Sequence, residues 1–556
     1  MDQRLQATYL YTPEVAFWQP FKKTGAIRLR PLPNHVQLRS NLTRHYQERQ
    51  LRDLNTYPAG EKPPGQHYLT FSNSFFWDRD FSFAWDLTAN LKASFRSGTV
   101  AEIEEPYLQV NKKINRDDYE VWRDSVSRSI RELGTPYRYE QSADVTYTLP
   151  FIHVKALDWI SASAAYNSRY RWERGARVAE RKIGNYLQND LSLTINSRFN
   201  LVSLYNKVPF LREVNARFSS NGNTSSIERG GVGNDFARYA ARTAMMVRSV
   251  SMNISHKTRT DIPGYDPVVG DLFGQQSTSH GLVPGLGFAF GLEGGERFIK
   301  KSLARGQLVT RTGNITPALF NETGHFRVDA TLEPFRGLTV ELHALYEDNR
   351  RTEFQYLVDG MPTTRGGSFA MSTVSLSSAF EGKSSEAFER FLAYREAVAS
   401  RVEEQYQNSG GAIRPRSADV LIPAFLAAYT GHDPEKVALT PFPAIRSLLP
   451  NWNVSYNLMT MMPRLQDHLR SLHLSHAYLS QYRVGSYSSF QSWVPLHEGS
   501  DLGFTRDPVT GLLTPSSPFD IPSVSIVESF NPLVEINSML NNRMNIVLRL
   551  NKTRAL

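Results

Sequence analysis

Residues 81–95 read FSFAWDLTANLKASF. Phe81, Phe83, Trp85, Leu87, Ala89, Leu91, Ala93 and Phe95 take every second position. Ser82, Asp86, Thr88, Asn90, Lys92 and Ser94 fall between them, and only Ala84 is off the pattern. Successive side chains of an extended chain point to opposite faces, so the run predicts one long strand with an apolar and a polar face. A helix would scatter the same residues around its circumference. At about 3.3 Å per residue the run reaches roughly 50 Å. Soluble strands average roughly five or six residues, whereas a tilted membrane strand needs about 9–11.

The same period recurs along the chain. Leu69, Phe71, Phe75 and Trp77 precede the run, and Tyr137, Tyr139, Ala143, Val145, Tyr147 and Leu149 follow it. Further sets are Ala162 to Trp172, Leu191 to Leu201, Val250 to Ile254, Trp452 to Leu458 and Leu472 to Val484. Phe326 to Leu332 and Leu338 to Tyr346 flank Pro334-Phe335-Arg336-Gly337, a hairpin signal. Val374 and Leu376 are a weaker trace. The end of the chain carries Val524, Ile526 and Phe530, then Val534, Ile536 and Leu540, then Met544 to Leu550.

No run approaches 18 consecutive apolar residues, which excludes a helical span but not a membrane β-barrel, whose strands are only half apolar. The 556 residues contain no Cys, so disulfides, thiolate metal sites and Cys nucleophiles are excluded. With 63 Lys+Arg against 54 Asp+Glu the net charge is +9. Its densest stretch, Arg169 to Lys182, interleaves Arg with Glu and aromatics, so a solvated polar face is expected and no nucleic-acid partner. Met1-Asp2-Gln3-Arg4 opens without the apolar core of a signal peptide, and the last residues still have the strand pattern.

Two stretches break the period. Trp122, Val126, Ile130 and Leu133 space as an amphipathic helix, with Asp117, Asp118 and Glu120 at its start and Gly134 after it, giving a helical insert at about 112–134. A second insert spans about 384–437. One helix there carries Phe388, Phe391, Leu392, Val398 and Val402; another runs from Val420 to Tyr429; and Asp433-Pro434-Glu435 reads as a further helix start. Glu296 to Gly306 suggests a short helix and 219–233 a loop.

Motifs for chemistry are absent. Gly285-Leu286-Gly287-Phe288-Ala289-Phe290-Gly291 has the wrong spacing for a dinucleotide loop and reads as a turn needing permissive backbone angles. His473 and His476 fall on opposite strand faces and cannot share a metal simply. Glu102, Glu104 and Glu105 before Pro106 read as a solvated turn. No nucleophile elbow or Walker motif occurs. The expectation is a chain that is not an enzyme, with no catalytic, cofactor or metal residues and no cofactor.

Several ordered segments resemble one family. LTFSNSFFWDRDFSFAWDLTANLKASFRSGTVAEIEEP (Leu69 to Pro106), the LYNKVPFL stretch within Ile183 to Asn215, ATLEPFRGLTVELHA (Ala330 to Ala344), DVLIPAFLAAYTG (Asp419 to Gly431), and the late strands at Leu439 to Leu458 and Leu474 to Phe490 are similar to the SprA/Sov family. That family is the outer-membrane translocon of the type IX secretion system and gliding motility. The resemblance implies the C-terminal portion of a longer chain that forms a very large barrel. It implies export of folded cargo bearing C-terminal targeting domains, with plug or gating partner proteins. A strand or two at the end and the N-terminal strands of the family are lacking, so the portion alone is expected to leave sheet edges unpaired.

The expectation is therefore all-β: residues 1–556 as a single portion of a large antiparallel transmembrane β-barrel, with short helical inserts, in the outer membrane. Phe81, Phe83, Trp85, Leu87, Leu91 and Phe95 are expected to face lipid. The alternatives are a porin-like or nutrient-transport barrel, and a soluble all-β glycan-binding protein.

Overall fold

The computed structural model describes residues 1–14, 29–50, 69–108, 110–178, 181–218, 232–270, 273–279, 281–309, 316–356, 363–381, 386–406, 417–460, 465, 467–497, 502–506 and 510–556. One antiparallel sheet dominates. Its strands are β1 (Asp2–Tyr11), β2 (His35–Gln50), β3 (Leu69–Asp86), β4 (Leu91–Glu102), β5 (Thr135–Thr148), β6 (Ile160–Glu173), β7 (Asn185–Asn200) and β8 (Val247–Tyr265). They continue as β9 (Ala318–Leu332), β10 (Leu338–Phe354), β11 (Thr364–Ser372), β12 (Asn451–Asn457), β13 (Leu469–Ser489), β14 (Val524–Leu540) and β15 (Asn545–Ala555). Apart from β11 and β12, which each pair with β10 and β13, every strand pairs with its neighbours in sequence, a meander with β1 and β15 at its two edges among the described residues. The all-β expectation holds in its antiparallel sheet, but the chain is mostly β and carries more helix than short inserts imply. Among the described residues no pairing joins β1 to β15.

The 81–95 run is not one strand. It folds over as a hairpin between β3 and β4, with Phe83 opposite Phe95 and Phe81 opposite Ser97. The turn at 87–90 is built by Thr88, whose Oγ1 accepts from the Asn90 and Leu91 N–H groups at 3.2 and 2.9 Å. In this register odd residues pair with odd residues, so the alternation passes through the turn unbroken. A turn without Gly or Pro left no interruption to detect. Leu87 lies in that turn and not in a strand.

Most other strands fall where the alternation puts them, including the hairpin around Gly337, whose φ of 84° only glycine adopts easily. β1 and β2 were not legible. Val374 and Leu376 follow β11 rather than form a strand. Phe530 and Val534, read as two runs, belong to one strand, β14, with a bulge between them.

β11 and β12 share one place in the sheet. Both pair with β10 and β13, β11 along one half of their length and β12 along the other. Residues 373–450 leave between them, in mid-sheet. Side chains close the gap in the ladder. Ser372 Oγ accepts from Leu345 N–H at 3.0 Å and from Asn451 Nδ2 at 3.2 Å, and Asn451 Oδ1 accepts from Ser480 N–H at 2.8 Å. Backbone groups in a buried ladder must be satisfied, and a hydroxyl and an amide substitute for the missing strand.

The helices are α1 (Arg116–Arg131), α2 (Leu201–Tyr205), α3 (Pro209–Phe218), α4 (Val232–Ala244), α5 (Leu286–Ala289), α6 (Gly295–Ala304), α7 (Glu386–Gln405) and α8 (Ala418–Thr430). α1 is capped by Asn115, which accepts from Asp118 N–H at 3.2 Å, and it stops where Leu133 and Gly134 turn to positive φ. α1, α6, α7 and α8 match the expected inserts. α2 was missed because Leu201 continued the strand period of β7, and α3 and α4 were not read. Asp433-Pro434-Glu435 makes a turn and no helix. Most of the loop read at 219–233 lies outside the described residues.

α8 is apolar on all sides. Val420, Ile422, Pro423, Ala424, Leu426, Ala427, Ala428 and Tyr429 are all buried, because α8 lies between the sheet and α7. No described helix is long and apolar enough to cross a membrane.

Candidate functional site

Register divides the sheet into two chemically distinct faces. One row of the apolar face runs Leu91, Tyr147, Ala164, Ile195, Ile254, Phe326, Tyr346, Met371, Tyr482, Ile526. Toward the end carrying the long connections, two inserts cover this face. α5 and α6 pack Phe288, Ala289, Phe298 and Ile299 onto Tyr139, Tyr170, Trp172, Leu187 and Ile262. α8 packs Ile422 and Leu426 onto Phe369, Tyr482 and Ile526. Gly291, at φ 74°, lets the first insert approach β7, where Asn189 Nδ2 donates to Phe288 O at 2.9 Å.

Beyond the inserts the apolar face is uncovered. Tyr147, Leu193, Ile195, Ile254, Ile536, Leu548 and Leu550 are exposed. On β9 the stretch Phe326 to Leu332 covers about 20 Å at ~3.3 Å per residue. At the roughly 40° tilt of barrel strands this is about 15 Å of height, part of the apolar band of roughly 25 Å on a membrane barrel.

The structure separates the six residues expected to meet lipid. Phe81, Phe83 and Phe95 cluster across the hairpin with ring centroids 5.9–6.3 Å apart. Phe95 itself is buried, covered by Phe273 at 5.5 Å and Phe290 at 6.3 Å. Its neighbours there are protein, because a connection from β8 folds back over the apolar face. Trp85 is half-buried and donates to Arg30 O at 2.8 Å. Leu87 is in the turn, and Leu91 starts β4 half-buried.

The opposite face is polar throughout its centre. Toward the insert-bearing end it carries two adjacent charged rows. The first contains Asp80, Glu140, Arg171, Asp261 and Glu353; the second contains Arg96, Arg169, Asp190, Arg259 and Arg351. Oppositely charged neighbours pair along and across strands: Arg171 with Glu140 at 3.4 Å, Arg259 with Asp261 at 2.9 Å and Arg351 with Glu353 at 2.8 Å. The next rows are mainly Ser, Thr and Asn, among them Ser94, Asn167, Ser192, Thr323, Asn349 and Ser368. Such a surface holds water and offers a passing solute little apolar area to adhere to.

Two buried charge clusters pin the inserts. Glu528 is fully buried beneath the 375–380 loop and accepts from Ser375 Oγ at 2.8 Å, Tyr478 OH at 2.7 Å and Arg554 Nε at 2.5 Å. Arg554 also donates to Ser378 O at 2.6 Å. At the other side of the sheet, Glu105 is not in a solvated turn. Its carboxylate is almost fully buried and accepts from Arg44 Nε at 2.9 Å and from Trp122 Nε1 of α1 at 2.7 Å. The Arg44 guanidinium stacks 5.2 and 5.1 Å from the Tyr46 and Trp122 rings. Sequence could not show this, since Arg44, Glu105 and Trp122 meet only after β2 and α1 are placed.

His473 and His476 stand on opposite faces of β13, and His476 Nδ1 lies 2.7 Å from Leu533 O. Among the described residues no His, Asp or Glu group is arranged to hold a metal.

No protein-family model matches the sequence, and no curated protein does. Among solved structures, the siderophore receptor PirA from Acinetobacter baumannii aligns over 97% of this chain and 59% of its own, at 9% identity and a TM-score of 0.21. A mutant of the ferric enterobactin receptor PfeA from Pseudomonas aeruginosa aligns over 97% and 62%, at 10% identity and a TM-score of 0.23. The chain spans about three-fifths of the length of these two receptors. Superpositions this loose carry no argument about fold or role.

Proposed function

We propose that this chain is part of the wall of an outer-membrane protein-export channel of the type IX secretion kind. The observation that carries the reading is the division of one very large meander into a bare apolar belt and a charged-to-hydroxylic polar face. Apolar side chains exposed on so wide a sheet would drive aggregation in water, whereas lipid accepts them. This disfavours a soluble glycan-binding protein, in which a second sheet would cover the face. The polar face then lines the aqueous path, and the sequence segments similar to the SprA/Sov family support secreted proteins as its cargo. Short turns at 87–90, 333–337 and 541–544 share one end of the sheet with the α2 to α4 connection, α1, α5 and α6 stand at the other, and α7 and α8 leave from mid-sheet and pack toward that other end. In outer-membrane barrels short turns face the periplasm, so α1, α5 and α6 would stand on the cell-surface side and α2 to α4 on the periplasmic side.

These 556 residues contain no cysteine, so once any cysteine elsewhere in the full-length protein is replaced the test is direct. Single variants N253C and I254C, adjacent in sequence and on opposite faces of β8, are made in the full-length protein in its own membrane. A charged maleimide should label N253C, and a bulky conjugate there should slow export of secreted proteins. A fluorophore at I254C should be quenched by brominated lipid. Equal aqueous labelling at both positions would refute a membrane wall. Unimpaired export with blocked uptake of a small solute would move the reading to a nutrient-transport barrel.

A further inference from the structure

The charged rows use their anions and cations unequally. A cavity of about 540 Å³ opens on the polar face across β3 to β7. Its four carboxylates are engaged inside the protein. Asp78 accepts from Asn41 Nδ2 at 3.0 Å, Asp80 pairs with Arg96 at 3.6 Å, Glu140 pairs with Arg171 at 3.4 Å, and Asp190 accepts from Gln188 Nε2 at 2.7 Å. Arg138 and Arg169 line the same cavity. Among the described residues neither has a hydrogen bond or an ion pair, and the Arg138 Nε is buried without an acceptor. Gly98 keeps the floor open, since a Cβ there would lie 2.8 Å from Asp80 Oδ1. The unused capacity of the cavity is therefore cationic.

We propose that this cavity binds an acidic segment of an extended polypeptide, with Arg138 and Arg169 each taking one carboxylate. Arg138 stands opposite Glu173 and Arg169 opposite Ser142, four residues along the strand from one another. That is about 13 Å at ~3.3 Å per residue. Two carboxylates four residues apart on an extended chain have the same spacing. The Glu140–Arg171 pair sits between the two arginines, which favours two separate carboxylates over one compact dianion. Guanidinium groups suit the task because they bind carboxylates in bidentate fashion and stay charged. The inference rests on the reading above, in which the polar face borders the aqueous path of a polypeptide.

The test uses full-length protein in detergent and a fluorescent Ser/Gly peptide carrying Glu at two positions four apart. Binding should weaken at least tenfold in R138Q/R169Q, weaken less in R138K/R169K, which keeps the charge but loses the bidentate fork, and be unchanged in R198Q, on the same face farther along the sheet. Raising salt should weaken wild-type binding. Equal binding of a peptide with Gln for Glu, or wild-type affinity in R138Q/R169Q, would overturn the proposal. So would competition by inorganic phosphate at peptide-like concentrations, which would mark a site for a compact anion. A companion variant, S142C, separates the two levels. Labelling by a charged maleimide without peptide binding defeats this inference alone, whereas protection of S142C in membranes defeats the conduit reading itself.

Discussion

Replacing Glu528 with alanine should release the last strand and the 375–380 loop from the sheet. The carboxylate is fully buried and accepts three hydrogen bonds, from Ser375, Tyr478 and Arg554. Hydrogen bonds to a charged group are worth about 1.5–3 kcal/mol each, which would sum to roughly 4.5–9 kcal/mol. That sum is too large, because the Arg554 side chain is 19% exposed and keeps its bonds to Ser375 O and Ser378. Removing one partner of a buried pair costs about 3–5 kcal/mol, and the lower end fits a partner that water can still reach. About 3 kcal/mol corresponds to roughly a hundredfold in a local opening equilibrium. Hydrogen exchange of residues 552–556 and 375–380 in the folded protein should therefore quicken by about that factor in E528A. The apolar double variant E528L/R554M should recover most of the protection, since no charge is then stranded. Exchange within threefold of wild type in E528A, or purely additive effects of E528A and R554A, would refute the argument.

Three further outcomes follow from the geometry. I254R, at an exposed point of the apolar belt on β8, should impair membrane assembly by about 2–4 kcal/mol, whereas L87R, in a turn, should cost far less; equal yields of heat-resistant folded protein from both would contradict this. G367A should destabilise the pairing of β10, β11 and β13 by about 1–3 kcal/mol, because its Cβ would collide with the Asn349 carbonyl oxygen; an unchanged denaturation midpoint would show that the strands can shift apart. Burial pushes the Asp419 carboxyl of α8 up, against the Ser517 hydrogen bonds that lower it, so the fold favours its protonated form. The resulting stability is fully present below the ordinary carboxylate range and is lost as pH rises through the raised value. D419N should flatten that loss, read as the pH dependence of protease access to α8, and an unaltered profile would assign the dependence to another group.

The alternation of apolar residues by itself determined that this chain makes long two-faced strands, because a period of two admits no other regular structure. It located Tyr139, Tyr170, Ile254 and Leu548 on faces correctly without any knowledge of their partners. The helix at 116–131 was legible for the same local reason, since Asp117, Asp118 and Gly134 act within one turn of their own backbone, although its cap, Asn115, was not read. Alternation cannot count strands, however. A hairpin whose register pairs odd residues with odd residues preserves the period, so the β3–β4 turn was invisible until Phe83 was set opposite Phe95. Nor can alternation say what covers a face. Phe95 and Ile254 have the same pattern, yet one is buried under the connection after β8 and the other is bare. Tertiary structure alone decided this, because burial of one strand depends on where a segment more than 170 residues away in sequence folds back. The same holds for Arg138 and Arg169. Their charges are plain in the sequence, but only the register, which gives Glu140 to Arg171 and Asp80 to Arg96, leaves those two arginines with capacity to spare.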